Sequence, residues 1–300
     1  MQWRLLLGAF LLAGLAAPLP ARAEDPCADY IPQPKPQNTG RDVVGQDLDT
    51  IIERGFITFA LYADNPPYSW KDGSTPRGVD VEIARLIAEE LGVEPRFDFF
   101  TAGENLQADL RNTLWKGAVI GGRISNVMLR VPYNSAFKCR VEQVVFTGQY
   151  AEESIAIAYS TSVYPDEGPT VPYFRFDPVG VENDSISDFY LSGFAGGQLA
   201  GNIRHFATTG AALEALAAGE VAAVMGPLGQ LEHGVGEGMA IHAPPLPGFA
   251  VGTWTLGVGV HFAYRPLGYA VDDAIYAGLE DGRIEAIYAR YGMTLVKPER

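Results

Sequence analysis

Hydrophobic positions along this chain follow two rhythms in turn. Phe56–Tyr62 is a short β-rich run. After a turn-forming loop, Ile83, Leu86, Ile87 and Leu91 recur at helical spacing, and Gly92 sits where a helix stop belongs. Gln46–Arg54 predicts a short helix leading into the first strand. Val93–Phe100 predicts a second strand, Leu106–Trp115 a second helix, and Asn126–Val131 a third strand ended by Pro132. This βαβαβ order implies a parallel sheet with right-handed crossovers.

Ser154–Tyr159 reads as a strand that leaves this first unit. The stretch Ser160–Phe176, dense in Pro, Gly and Ser, reads as a loop. A shorter α/β pattern follows: strand Pro178–Val181, helix Ser185–Phe194, strand Ile203–Phe206, helix Gly210–Ala218 and strand Val221–Met225. Residues 226–250 hold six Gly and four Pro and read as irregular connection. Trp254–Phe262 is a strand, and Tyr269–Leu279 and Ile284–Tyr291 are helices. The chain thus builds one lobe, crosses to a second and returns. The expected division is lobe 1 over residues 45–152 and 254–300, and lobe 2 over 153–253.

The amino terminus changes the picture of where this happens. Arg4, the apolar stretch Leu5–Leu15 and Ala21-Arg22-Ala23 form a secretory signal over residues 1–23, too short to span a bilayer. Cys27 lies four positions past Ala23 and not at the cut, so the mature chain is expected to be a soluble periplasmic protein, and a monomer is expected; no later segment is long and apolar enough to insert. Residues 24–44 are rich in Pro and polar residues and read as an extended segment. The formal net charge of -14 argues against nucleic acid and anionic membranes as partners. Only Cys27 and Cys139 are present, and an even pair in an oxidising compartment suggests one disulfide.

Phe56–Gly92 carries a family likeness. Its strand, its Pro66-Pro67-Tyr68-Ser69-Trp70 loop and its Gly78-Val79-Asp80 helix start resemble the opening of the family 3 periplasmic solute-binding proteins, the polar amino-acid receptors of ABC importers. Asp281-Gly282-Arg283, Ile287-Tyr288 and Arg290-Tyr291-Gly292 resemble that family's closing helix. The resemblance covers nearly all of residues 45–293. It implies an α/β, two-lobe periplasmic-binding-protein-like fold, each lobe a mainly parallel sheet flanked by helices, joined by a two-strand hinge. It also implies a small-molecule solute held between the lobes and an ABC permease as partner.

The resemblance nominates site residues. Arg140, six positions before Phe146-Thr147, matches the Arg that grips a ligand carboxylate, because a guanidinium offers parallel donors to two oxygens. Phe137 stands where the family has Thr, and Arg130 is a rival for the same role. Val181–Ser185 resembles the turn where a hydroxyl and free helix N–H groups meet the carboxylate, so Asp184 and Ser185 are candidates; Ser185 with Asp188 is also a capping-box pattern. Tyr68 and Trp70 are read as ring covers for the solute, with Tyr62 another cleft aromatic. Trp115 and Trp254 read as packing residues.

One departure opens a second reading. The family's ammonium-pairing Asp after the Val221–Met225 strand is replaced by Gly226-Pro227-Leu228-Gly229. That segment resembles the J-type accessory proteins of quinoprotein methanol dehydrogenases, which makes a periplasmic quinoprotein dehydrogenase the alternative partner. A third, enzymatic reading follows from secreted dehydratases of similar fold, with Glu182 or Asp184 as general acid. Nothing else points to catalysis, cofactor or metal: the four His are scattered, and there is no Walker Lys and no G-x-S-x-G elbow. Asp272-Asp273 and Glu152-Glu153 read as solvated charges.

Overall fold

A computed structural model describes residues 27, 47–118, 123–133, 135–249 and 251–299. The signal read at 1–23 and the Pro-rich segment at 24–44 lie outside the described residues, Cys27 excepted. Asp47 caps the first helix, α1 (Leu48–Arg54), by accepting from Thr50 N–H at 2.9 Å, and Gly55 ends it in the left-handed region. Strand β1 (Phe56–Tyr62) follows directly. The aromatic loop then makes a small hairpin that the hydrophobic pattern did not predict, β2 (Trp70–Asp72) against β3 (Thr75–Arg77).

Helix α2 (Val79–Glu90) buries its apolar stripe, and Gly78 determines how the loop meets it. At φ 122° a side chain there would place its Cβ 2.1 Å from the Tyr68 carbonyl oxygen. That same carbonyl accepts from Asp80 N–H at 2.9 Å. Glycine is therefore what lets the Pro-Pro-Tyr loop sit on the helix start.

Strand β4 (Glu94–Phe100) pairs parallel to β1, and α3 (Leu106–Leu110) runs into a π-helical turn over Arg111–Trp115. Strand β5 (Val127–Pro132) also pairs parallel to β1 and ends at Pro132 as expected, with Pro132 itself the last paired residue, opposite a later strand. After α4 (Ser135–Lys138) comes the longest strand, β6 (Val144–Ser160), of which the sequence reading took only the last part. Gly148, at φ 56°, interrupts its alternation, and Asp272 accepts from the Gly148 N–H at 2.8 Å to satisfy the irregularity.

The second lobe contributes β7 (Val179–Glu182), α5 (Ile186–Gly193), β8 (Ile203–Phe206), α6 (Thr209–Ala217) and β9 (Ala223–Pro227). The Gly- and Pro-rich stretch expected to be irregular holds α7 (Leu228–Gly234) and β10 (Met239–His242). Strand β11 (Thr253–His261) returns to lobe 1, and α8 (Arg265–Glu280) and α9 (Arg283–Arg290) close the chain.

Strand order is β4-β1-β5-β11-β6-β9-β7-β8, with β10 on β6. Pairing is parallel at both flanks and antiparallel where β11 and β6 cross the middle. Along β6, Val144–Ser154 pairs with β11 and Ile155–Tyr159 pairs with β9, so one strand is shared by both lobes. Alternation assigns its faces. Ile155 and Ile157 enter one lobe 2 core with Phe174 and Val179, while Ala156 and Ala158 leave room for α6 on the other face. Cys27 and Cys139 are bonded, tying the segment before α1 to the turn after α4.

Candidate functional site

A cleft of about 490 Å³ opens at the carboxyl ends of the parallel strands. Open α/β sheets place ligands there because helix starts and loop backbone converge on one edge. Lobe 1 supplies Tyr62, Asp64, Asn65 and Tyr68 from the end of β1 and its loop, and Arg130 from β5. Lobe 2 supplies Glu182 at the end of β7, Ser185 and Ser187 at the start of α5, Thr209 at the start of α6, and Gln230 in α7. Trp254 and Leu256 of β11 lie in the wall between.

Arg130 is held at the cleft by a β-bulge. Gly257 pairs with Val131 but Gly259 pairs with Met128, so β5 carries one extra residue, and Arg130 takes the left-handed φ of 58°. Such a conformation costs a non-glycine residue about 1 kcal/mol or more, and bulges redirect a side chain out of the sheet's alternation. The guanidinium carbon stands 3.1 Å from the centre of the Tyr68 ring. Nη2 donates to Glu153 Oε2 at 3.1 Å. Nη1 is buried without a hydrogen-bond partner among the described residues and lies 3.9 Å from Asp80 Oδ1, within ion-pair range but beyond hydrogen-bond reach. Burial works against the charge of Arg130, yet the surrounding tyrosines and carboxylates raise its pKa.

Glu153 is the centre of this cluster and corrects the expectation of a solvated charge: it is buried. Its Oε2 also accepts from Tyr68 Oη at 2.6 Å, and its Oε1 accepts from Gly229 N–H at 3.3 Å. Asp80 is equally buried and accepts from Tyr150 Oη at 3.1 Å. Burial pushes the Asp80 carboxyl up to about 6, with Arg130 and Tyr150 working the other way. Burial likewise raises the hydroxyls of Tyr68, Tyr150 and Tyr288 well above their usual range. Asp272, also read as solvated, is half-buried and bonded to β6.

The other nominated residues separate. Tyr68 lines the cleft, but its ring is fully buried under Arg130. Trp70 faces Tyr291 edge-on at 5.9 Å and does not line the cleft. Arg140 is exposed in the turn after α4, its N–H bonded to the Phe137 carbonyl, and is not part of the cleft wall. The bulge in β5 turns Arg130 toward the cleft, whereas Arg140 lies in the turn between α4 and β6.

Ser185 lies in the wall as the N-cap of α5, accepting from Asp188 N–H at 3.1 Å. Asp188 accepts from Asp184 N–H at 3.0 Å, one residue ahead of the N-cap, while Ser185 N–H donates to the Glu182 carbonyl, so the predicted capping box forms only in its Ser185 half. Asp184 itself is exposed and outside the wall. Two residues beyond Ser185, Ser187 lines the cleft almost fully buried, and its hydroxyl has no hydrogen-bond partner among the described residues. A buried hydroxyl left this way is an invitation to a ligand. Glu182 is bonded through one oxygen to both the Thr209 N–H and Thr209 Oγ1 at 2.9 Å.

Glu153, Asp80 and Ser187 were not nominated from sequence. Glu153 had a usable signal, since it shares strand parity with the buried Ile155. Among the described residues, no group of His, Cys, Asp and Glu is placed to hold a metal ion, and no helix is long and apolar enough to cross a membrane.

The sequence profile of the bacterial extracellular solute-binding proteins, family 3, matches residues 57–122. A search of curated proteins finds no match. Among solved structures, an ancestral cationic amino-acid solute-binding protein (AncCDT-1) aligns over 82% of this chain and 99% of its own, at 19% identity and a TM-score of 0.67. An amino-acid ABC transporter substrate-binding protein from Streptococcus pneumoniae, bound to L-arginine, aligns over 84% and 100%, at 18% identity and a TM-score of 0.60. A further ancestral amino-acid-binding structure, described as a precursor of cyclohexadienyl dehydratase, aligns over 82% and 98% at 18% identity and a TM-score of 0.58. At these identities the likeness is one of fold. The described chain therefore has the fold of the amino-acid solute-binding proteins, and its residues 57–122 carry the sequence pattern of the bacterial extracellular solute-binding proteins, family 3.

Proposed function

We infer that this chain captures a small, zwitterionic, amino-acid-like solute between its two lobes and presents the closed form to an ABC permease. The observation that carries this reading is the unpartnered, buried Ser187 hydroxyl in the cleft wall, at the start of α5. There the hydroxyl and the first-turn N–H groups suit a carboxylate, and a single capped helix start adds a favourable dipole. The solute's ammonium end faces the carboxylates of Asp64 on lobe 1 and Glu182 on lobe 2, both of which line the cleft. Contacts made to both lobes at once favour the closed arrangement, with β6 and β11 as the hinge between lobes divided near residues 153 and 253. The leader at residues 1–23 delivers the chain to the periplasm in this reading.

The Gly226–Gly229 segment has a structural explanation of its own. A Cβ at Gly229 would lie 2.7 Å from Tyr68 Oη and 2.5 Å from Met293 Cε, so any side chain there would have to displace them, and packing favours glycine. Gly229 by itself thus does not argue for a quinoprotein dehydrogenase as partner. No step of chemistry is assigned to Glu182, whose hydrogen bonds to Thr209 explain its place at the start of α6.

A thermal-shift screen of amino acids, carboxylates and small alcohols tests the proposal. A ligand at one hundred times its dissociation constant should add about 2.7 kcal/mol of stability. A folded protein that responds to none of these solutes would sink it.

A further inference from the structure

The arginine at the cleft already holds a carboxylate, and that carboxylate belongs to the chain. Glu153 reaches Arg130 from the shared strand β6 at 3.1 Å, with Tyr68 Oη at 2.6 Å on the same oxygen and Gly229 N–H at 3.3 Å on the other. Both oxygens are occupied, as a bound solute's would be in a site built around a guanidinium. The partners come from three places: the loop after β1, the bulge of β5, and the start of α7 in lobe 2. Asp80 lies on the other arm of the guanidinium at 3.9 Å. The charges of this cluster are one guanidinium against two carboxyl groups, so it presents no surplus positive charge to the cleft. The remaining charged groups in the wall, Asp64 and Glu182, are acidic.

We propose that Glu153 is a specificity-determining residue, a built-in substitute for a ligand carboxylate that occupies Arg130 and so closes the cleft to acidic solutes. This rests on the solute-capture reading for its biological meaning but not for its physics. An incoming second carboxylate meets a guanidinium already paired with Glu153 and two further acidic groups in the wall, with no second cationic side chain there to offset them. Displacing Glu153 instead would leave a buried carboxylate stripped of its ion pair, a heavy penalty. Glu153 sits on the strand common to both lobes, and Gly229 in lobe 2 bonds to it. The filter therefore stands where the lobes meet, behind Arg130, which lines the cleft and through which Glu153 acts on a solute.

The test compares glutarate, L-glutamate and L-glutamine by titration calorimetry on the full chain and on Glu153→Gln. The native protein should refuse glutarate and bind glutamate more weakly than glutamine by about tenfold or more. Glu153→Gln should gain glutarate binding and raise the glutamate-to-glutamine affinity ratio by about tenfold, and adding Arg130→Gln should abolish the gain. If Glu153→Gln does not fold, Glu153→Asp withdraws the carboxylate from Nη2 and should shift the ratio in the same direction. Tight binding of glutarate or glutamate by the native protein overturns the proposal while leaving solute capture intact. A folded Glu153→Gln or Glu153→Asp that gains nothing also overturns it. Glutarate binding to Glu153→Gln, with no solute bound by the native chain, would uphold the filter and defeat the capture reading.

Discussion

Tyr150 donates its hydroxyl to Asp80 at 3.1 Å, and neither side chain has contact with water. The bond joins β6 to the start of α2, and Arg130, Glu153 and Tyr288 face the same carboxyl group. Burial dominates the balance, so the folded protein holds the Asp80 proton more tightly than the unfolded chain, with a pKa of about 6 against 3.8.

The pH dependence follows from that direction. Between the two values the unfolded chain has released the proton and the folded one keeps it. The contribution of Asp80 is therefore fully present below pH 3.8 and is lost as pH rises through about 6. The loss is about 2 to 3 kcal/mol. Asp188, whose pKa is lowered by its hydrogen bonds against the opposing effect of burial, contributes in the other sense. The informative quantity is thus the difference between native protein and Asp80→Asn in urea unfolding from pH 4 to 7. The native stability should fall relative to the variant across this window. Parallel curves would show that Asp80 does not titrate there.

Gly78→Ala should be among the most damaging small substitutions in lobe 1. It must place a Cβ 2.1 Å from the Tyr68 carbonyl oxygen and hold alanine at φ 122°. The helix start or the Pro-Pro-Tyr loop has to move, and the Asp80 N–H bond to that carbonyl goes with it. The cost should be at least about 2 kcal/mol in chemical unfolding. A change under half of that would mean the loop and helix are less tightly joined than the geometry implies.

How much of this was legible in the sequence varies with the physics involved. Elements whose apolar period is local, such as β1 and α2, were read nearly to the residue. Strand β6 was truncated because Gly148 and an irregular register interrupt its alternation, and only pairing with β11 restores it. Helix α7 and strand β10 are masked in the sequence by the density of Gly and Pro around them, although one of these glycines, Gly229, packs against Tyr68 and Met293, a tertiary requirement with no local signature. Of the residues that line the cleft, a family likeness nominates Tyr68 and Ser185, whereas motif spacing favours Arg140 over Arg130. Spacing cannot register a bulge that turns one strand residue toward the cleft. Glu153 was read as solvent-facing because Glu seldom lies inside unless paired, and its partner is far away in sequence.

The Cys27–Cys139 bond spans 112 positions and ties the segment ahead of α1 to the turn that follows α4. Cross-linking so long a loop restricts the unfolded chain, so Cys27→Ser with Cys139→Ser should lower stability by about 2–4 kcal/mol. Urea unfolding of the oxidised protein and the double variant measures this. Alkylation of the unfolded, unreduced protein should add no mass, and uptake of two alkyl groups would contradict the bond.

Ser187 separates binding from stability. Its hydroxyl is buried in the cleft wall with no partner among the described residues, so the solute-free protein bears the cost of that unmet polar atom. Ser187→Ala should leave the empty protein as stable as before or slightly more so, because the unsatisfied group is gone. The same change should weaken the solute that responds in the screen by about tenfold, since a hydrogen bond to a charged group is worth about 1.5 kcal/mol or more. Cys at this position keeps the size but donates poorly, so Ser187→Cys should resemble the alanine variant, whereas Ser187→Thr retains the hydroxyl and should recover part of the affinity. Loss of stability together with unchanged affinity would assign the hydroxyl to the packing of α5 and remove it from the binding site.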